Sequence, residues 1–328
     1  MHSLIRKSLM TFLGVTLLTA SAAASERDGW PRGVTWSGSP LGGAHYQYGA
    51  AMAQVLNKEL NVPMSLEATA GPWINMQLIN DGDTDFAPSL AASSYEAYHG
   101  IGQAQGKPMK NLRVILPMYP QYFYWWTLNK YNIKSFEDLD GRIVCMAGRA
   151  SFADDYGRKL FDVSNIHPSK IVNTTAFSDA NSMMQDRQLE AIGTCSGVPN
   201  AATSEVTDTD DATILGVPDK FADAFIKQYP FVSRGKLPAN SFRGQTEDIP
   251  TLTDWALVLA NKDADEDFIY HVVKAVMENN PMMKAAFSPA KDCLVENAAI
   301  AKIPYHPGAI RYFEEKGIKL PEEAYADN

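Results

Sequence analysis

Short extended runs alternate with helical stripes along most of this chain, and that alternation restricts it to helices packed on largely parallel sheets. Residues 32–38 (RGVTWSG) read as a strand, and Tyr48, Ala51, Met52, Val55 and Leu56 then recur at helical spacing. Residues 64–69 are β-like, and Gly71-Pro72 opens a helix that stops near Asp81-Gly82. A short strand is expected around Phe86, and residues 112–116 and 123–128 read as two further strands separated by Pro117 and Pro120. The grammar restarts at Lys134 with a short helix capped by Ser135. Strands follow at 142–146, 170–173 and 189–194, and helices at about 153–161 and from Ser178. Residues 252–260 form another apolar run, and Phe268, Ile269, Val272, Val273 and Val276 make the clearest amphipathic stripe.

The 328 residues accommodate two such α/β halves. The expected division is a signal peptide at 1–24, a first lobe from 25–130 with 251–328, and a second lobe from 131–250. The chain then crosses near 129–133 and returns near 250–253. The signal peptide is read from Arg6 and Lys7 ahead of the apolar stretch 9–18 and the small residues 20–24. That apolar stretch is shorter than the roughly 18 residues needed to span a bilayer, so a soluble, exported, periplasmic protein is expected. Net charge is −9, and loss of Arg6 and Lys7 takes it to −11, which offers no basic face for nucleic acid. The three cysteines, Cys145, Cys195 and Cys293, are too few and too scattered for a disulfide framework or zinc ligation. They read as buried thiols, with a single Cys145–Cys195 bridge as the alternative.

Three turns at strand-to-helix junctions carry the chemistry. Residues 39–43 (SPLGG) and 70–73 (AGPW) read either as tight turns or as helix N-termini that hold an anion. In the third, residues 148–152 (GRASF), Ser151 and Asp154 have capping-box spacing. Arg149 beside the helix N-terminus offers a bidentate donor to a carboxylate, or else is a solvated arginine. Enzyme signatures are poor. His45, His99, His167, His271 and His306 form no metal motif, and in GTCSG Ser196 sits one place late for a nucleophile elbow. The acidic stretch 208–211 lacks a calcium loop's glycine and terminal glutamate. Neither a cofactor nor a metal is expected.

Read in order, GGAHYQYGAAMAQVLNKEL, TAGPWINMQLINDGDTDFA, YEAYHG, FEDLDGRIVCMAG, DRQLEAIGTCSGVPNAATSEV, YPFV, LPANSFRGQTEDIPTL and YHPGAIRYFEEKGI resemble successive segments of the TAXI (TRAP-associated extracytoplasmic immunogenic) family of solute receptors. The resemblance covers residues 31–320. It implies a two-lobed type II periplasmic binding protein fold, α/β throughout, with a ligand cleft between the lobes. It also implies a small organic anion as ligand and TRAP-type membrane permease subunits as partners. The receptor itself is expected to be a monomer. Carried over by position, the ligand contacts are Gly43, His45, Tyr46, Gly71, Trp73, Asn75, Arg149, Ser151 and Phe152, with Gly197, Val198 and Pro199 lining the cleft from the second lobe.

The chain departs from that pattern at Ala44, at Leu90-Ala91-Ala92 and at Ser151-Phe152, where relatives carry more polar residues, and Arg149 is a bulky addition. These departures point away from glutamate and toward an acid with an aromatic or apolar body. Trp36, Trp73, Phe123, Tyr124, Trp125 and Trp126 are available as flat walls, or as core. The alternatives are a ligand-sensing receptor for a signalling partner and an exported hydrolase using Ser196 or Cys195.

Overall fold

The computed structural model describes residues 29–38, 44–69, 71–149, 151–174 and 176–326; the expected signal peptide and Gly43 lie outside them. The elements run β1 (Val34–Ser37), α1 (Ala44–Val55), β2 (Met64–Glu67), α2 (Pro72–Asp81), β3 (Ala87–Leu90), α3 (Ala91–His99) and β4 (Leu112–Leu128). They continue with β5 (Ile143–Met146), α4 (Phe152–Ser164), β6 (Lys170–Asn173), α5 (Phe177–Gln185), β7 (Ala191–Ser196) and α6 (Ala201–Thr209). The last are β8 (Ala212–Leu215), α7 (Asp219–Gln228), β9 (Ser233–Leu237), β10 (Ile249–Asn261), α8 (Glu266–Glu278), α9 (Asn280–Ala286) and α10 (Pro307–Glu315). Among the described residues, no helix is long and apolar enough to cross a membrane.

Two long strands organise this arrangement. The runs 112–116 and 123–128, expected as separate strands, are one 17-residue strand, β4, that passes straight through Pro117 and Pro120. Both prolines face β10, where the antiparallel register shifts between Trp255 and Leu257. A bulge is where a strand tolerates the missing N–H donor. The helix expected after Lys134 shrinks to a single 3-10 turn, Glu137–Leu139. The Asp138 carboxylate reaches back to accept the backbone N–H groups of Lys134 and Ser135, capping the start of this turn.

The sheets are mixed rather than purely parallel. β1 pairs parallel with β2, and β5 pairs parallel with both β6 and β7. β4 and β10 run antiparallel to each other, and each pairs antiparallel with its other neighbours: β7 and β8 on β4, β3 and β9 on β10. Because β4 and β10 each run from one lobe into the other, they add strands of opposite direction to otherwise parallel units.

The hydrophobic cores change over inside these strands. Leu112 to Tyr119 of β4 and Ala256 to Ala260 of β10 pack into one core with α1, α2, α8 and α10. Beyond Gln121, alternate residues separate to opposite faces of the sheet. Phe123 and Trp125 join Val144, Leu160 and Phe225 on one face, and Tyr124 and Trp126 join Cys145, Met184 and Ile192 on the other. The change-over therefore comes several residues before position 130, because the strand itself, and not the loop after it, carries the chain between cores. All three thiols are free, and Cys145 lies in register with Ile192, three residues short of Cys195.

Candidate functional site

Two cavities open between the lobes. The first, ≈ 330 Å³, is lined from the first lobe by Gly71, Trp73, Ser93, Glu96 and Gln103, and from the second by Arg149, Ser151, Phe152, Asp155 and Tyr156. Five of the residues expected from sequence meet here, and local structure explains why. Gly71 ends the loop into α2 at φ 129°, a conformation that favours glycine, and Pro72 starts the helix. Ser151 caps α4, its hydroxyl accepting the Asp154 N–H at 3.2 Å. The Asp154 carboxylate binds Arg158 and Asn173, and Asn173 holds the Ala147 carbonyl, so the turn carrying Arg149 is tied to both α4 and β6.

Arg149 itself is exposed and makes no hydrogen bond or ion pair with the described residues. Phe152 stacks on Tyr156 with ring centroids 4.2 Å apart, and with Trp73 opposite it gives the cavity an aromatic wall. Glu96 and Tyr156 are the polar groups that residue patterns overlooked. The one available signal was a glutamate four places after Ala92, on the buried face of α3.

The second cavity, ≈ 600 Å³, is lined by Ala44, Gln47, Tyr119 and Phe287 from the first lobe and by Phe177, Ser196, Gly197, Pro199 and Asn200 from the second. None of its lining residues carries a charge. Gly197 and Pro199 are thus in the cleft, but in a compartment separate from Arg149.

The remaining expected contacts turn elsewhere. Asn75 is fully buried, and its amide donates to the carbonyls of Gly38 (2.7 Å) and Pro88 (3.2 Å) while Thr69 Oγ1 lies 2.6 Å from its Oδ1. It is spent knitting together the ends of β1, β2 and β3, and so shapes the cleft without facing it. Val198 packs into the core beside Tyr124, and Tyr46 and His45 line neither cavity. His45 Nε2 lies 3.2 Å from the Gln121 amide on β4, and burial pushes its pKa down to about 4, so its imidazole is neutral at pH 7.

Of the aromatic residues offered as walls, Trp36 on β1 is buried in the core beside Tyr48, and Phe123, Tyr124, Trp125 and Trp126 are buried because β4 is a central strand covered on both faces. Ser196 Oγ is 3.2 Å from Tyr124 Oη, and burial raises the Cys195 thiol well above its ordinary pKa, which disfavours the thiolate. Asp254, in register with Gln121 on β10, is buried with its carboxylate against the N–H groups of Ala92 and Trp255.

A profile described as the NMT1-like family matches residues 37–317. The chain belongs to the NMT1-like family. Solved structures of two-lobed periplasmic binding proteins share the fold of this NMT1-like chain. It is similar to the periplasmic binding protein BugD at 10% identity and a TM-score of 0.54, over 88% of this chain and 98% of BugD. It is also similar to a TctC solute binding protein from Polaromonas at 14% identity and a TM-score of 0.53, over 79% of this chain and 86% of that one. XAC2383 from Xanthomonas citri, solved bound to ATP, matches at 9% identity and a TM-score of 0.50, over 87% and 95% of the two chains. At these identities the likeness establishes the fold alone: a type II periplasmic binding protein architecture.

Proposed function

We propose that this NMT1-like protein is an extracytoplasmic solute receptor of the TAXI type that captures a small organic acid and delivers it to a TRAP-type membrane permease. The resemblance over residues 31–320 and the two-lobed fold support the class. The observation that carries the ligand chemistry is Arg149, a guanidinium without a partner among the described residues, on the turn just before the N-terminus of α4 and lining an interlobe cavity. A carboxylate placed there gains a bidentate charged partner together with the positive end of a helix dipole.

Trp73, Phe152 and Tyr156 suit a flat or apolar body attached to that carboxylate, and the uncharged second cavity suits whatever extends beyond it. The lobes pivot on β4 between Tyr119 and Phe123 and on β10 between Leu252 and Ala256, and closure strengthens the ion pair by excluding water.

The test is a thermal-shift screen of mature protein, refolded to strip bound solute, against amino acids, keto acids, dicarboxylates and aromatic acids. A ligand at 100 times its Kd adds about 2.7 kcal/mol, a readily visible shift. Arg149→Ala then weakens the hit by roughly 10- to 100-fold in calorimetry, about 1 to 3 kcal/mol, and leaves the ligand-free melting temperature in place. Affinity that survives the substitution removes Arg149 from the site. Silence across the acids removes the organic-acid reading.

A further inference from the structure

The first cavity has a floor that belongs to both lobes. Glu96, on α3 of the first lobe, is 5% exposed, and its Oε1 accepts a hydrogen bond from Tyr156 Oη at 2.9 Å. The same oxygen lies 3.4 Å from Lys159 Nζ. Tyr156 and Lys159 are both on α4, in the second lobe.

We propose that Glu96, Tyr156 and Lys159 form an interlobe clasp that biases the lobes toward the closed arrangement and couples ligand occupancy to closure. Three observations support it. Among the described residues, Glu96–Lys159 is the one ion pair that joins the lobes; the others stay within one lobe. Lys159 is also set in place by its own lobe. Its ammonium is 2.8 Å from Asp155 and lies over the rings of Tyr156 and Tyr229 at 4.3 and 5.3 Å, so meeting Glu96 costs little extra side-chain entropy. Finally, Glu96 and Tyr156 both line the cavity that contains Arg149.

Lobe opening separates Glu96 from both partners at once, and a buried, charged contact of this kind weakens steeply once water enters. A solute that fills the cavity keeps water away from the clasp and so favours the closed arrangement. The coupling rests on the solute-binding reading, whereas the clasp itself does not.

The experiment is small-angle X-ray scattering on the mature, ligand-free chain and on Lys159→Met, Glu96→Gln and the double variant. Lys159 is partly exposed, so its variant folds even if the Glu96 variant does not, and circular dichroism confirms folding. The expected result is that ligand-free wild type populates the closed arrangement more than either single variant does. The radius of gyration then rises in Lys159→Met and Glu96→Gln, and the double variant opens no further than the larger single effect, because one contact has been broken. Identical scattering from wild type and Lys159→Met overturns the proposal, and so does a double variant that adds the two single increments. Because no solute is used, that failure is distinguishable from failure of the thermal-shift screen.

Discussion

Asp254 should make this protein less stable as pH rises, and the size of the effect follows from its position. Its carboxylate is buried on β10 where the two cores change over, and burial raises its pKa from the ordinary 3.8 to about 7 despite the hydrogen bonds from Trp255, Ala92 and Ala91. A raised folded-state pKa means the native protein binds more protons than the unfolded chain between these values. Stability from this group is therefore intact below about pH 4 and is lost as pH rises through about 7. At about 1.4 kcal/mol per unit, the loss is about 2 kcal/mol by pH 5 and about 4 kcal/mol by pH 8. Asparagine keeps an acceptor for one backbone N–H and does not ionise. In urea titrations of ligand-free protein, Asp254→Asn should gain roughly 2 to 3 kcal/mol relative to wild type between pH 5 and pH 8, titrating groups not coupled to Asp254 cancelling in the difference. If the two proteins keep the same stability difference at both values, the buried carboxylate is not titrating in that range and the reasoning fails.

Trp73→Ala should weaken binding of an aromatic acid by about 10-fold or more while a small aliphatic acid loses much less, as area burial on one aromatic face requires; competition calorimetry reads both, and equal losses would contradict the wall. A Cβ on Gly308 would run into the Glu266 carbonyl and the Tyr270 backbone nitrogen, where α10 crosses α8. Gly308→Ala should therefore cost about 3 kcal/mol in urea titration, at the upper end for overpacking because backbone cannot step aside; a loss under about 1 kcal/mol would show that the helices slide apart freely.

What was legible in the sequence was local. Gly71-Pro72, Ser151 and the stripe from Phe268 to Val276 each state their structure within one turn, because a positive φ, a capping hydroxyl or a buried helix face depends on near neighbours. Pro117 and Pro120 misled because their tolerance depends on a register shift in β10, more than 130 residues away. The aromatic run from Phe123 to Trp126 is undecidable for a related reason. Alternate side chains on a central strand face two cores, and composition does not reveal whether a second layer covers each face.

The candidate site divides along the same line. Arg149 stands out because Gly148 and the Ser151 cap place it on the turn into α4, and among the described residues it has no hydrogen-bond or ion-pair partner. Asn75 looks equally well placed for a ligand, yet its amide hydrogen bonds go to the ends of β1 and β3, which only the assembled sheet brings within reach. Glu96 is the converse case, a charge on a buried helix face that is unfavourable until the other lobe supplies Tyr156 and Lys159. In this cleft the residue proposed to hold a solute advertises itself through local chemistry, whereas those that shape the cleft, and those proposed to close it, depend on contacts between distant parts of the chain. Substitutions of the two kinds should therefore separate experimentally: Arg149→Ala weakens binding of acids in particular, and changes at Glu96 or Lys159 alter how long the lobes stay shut on any solute.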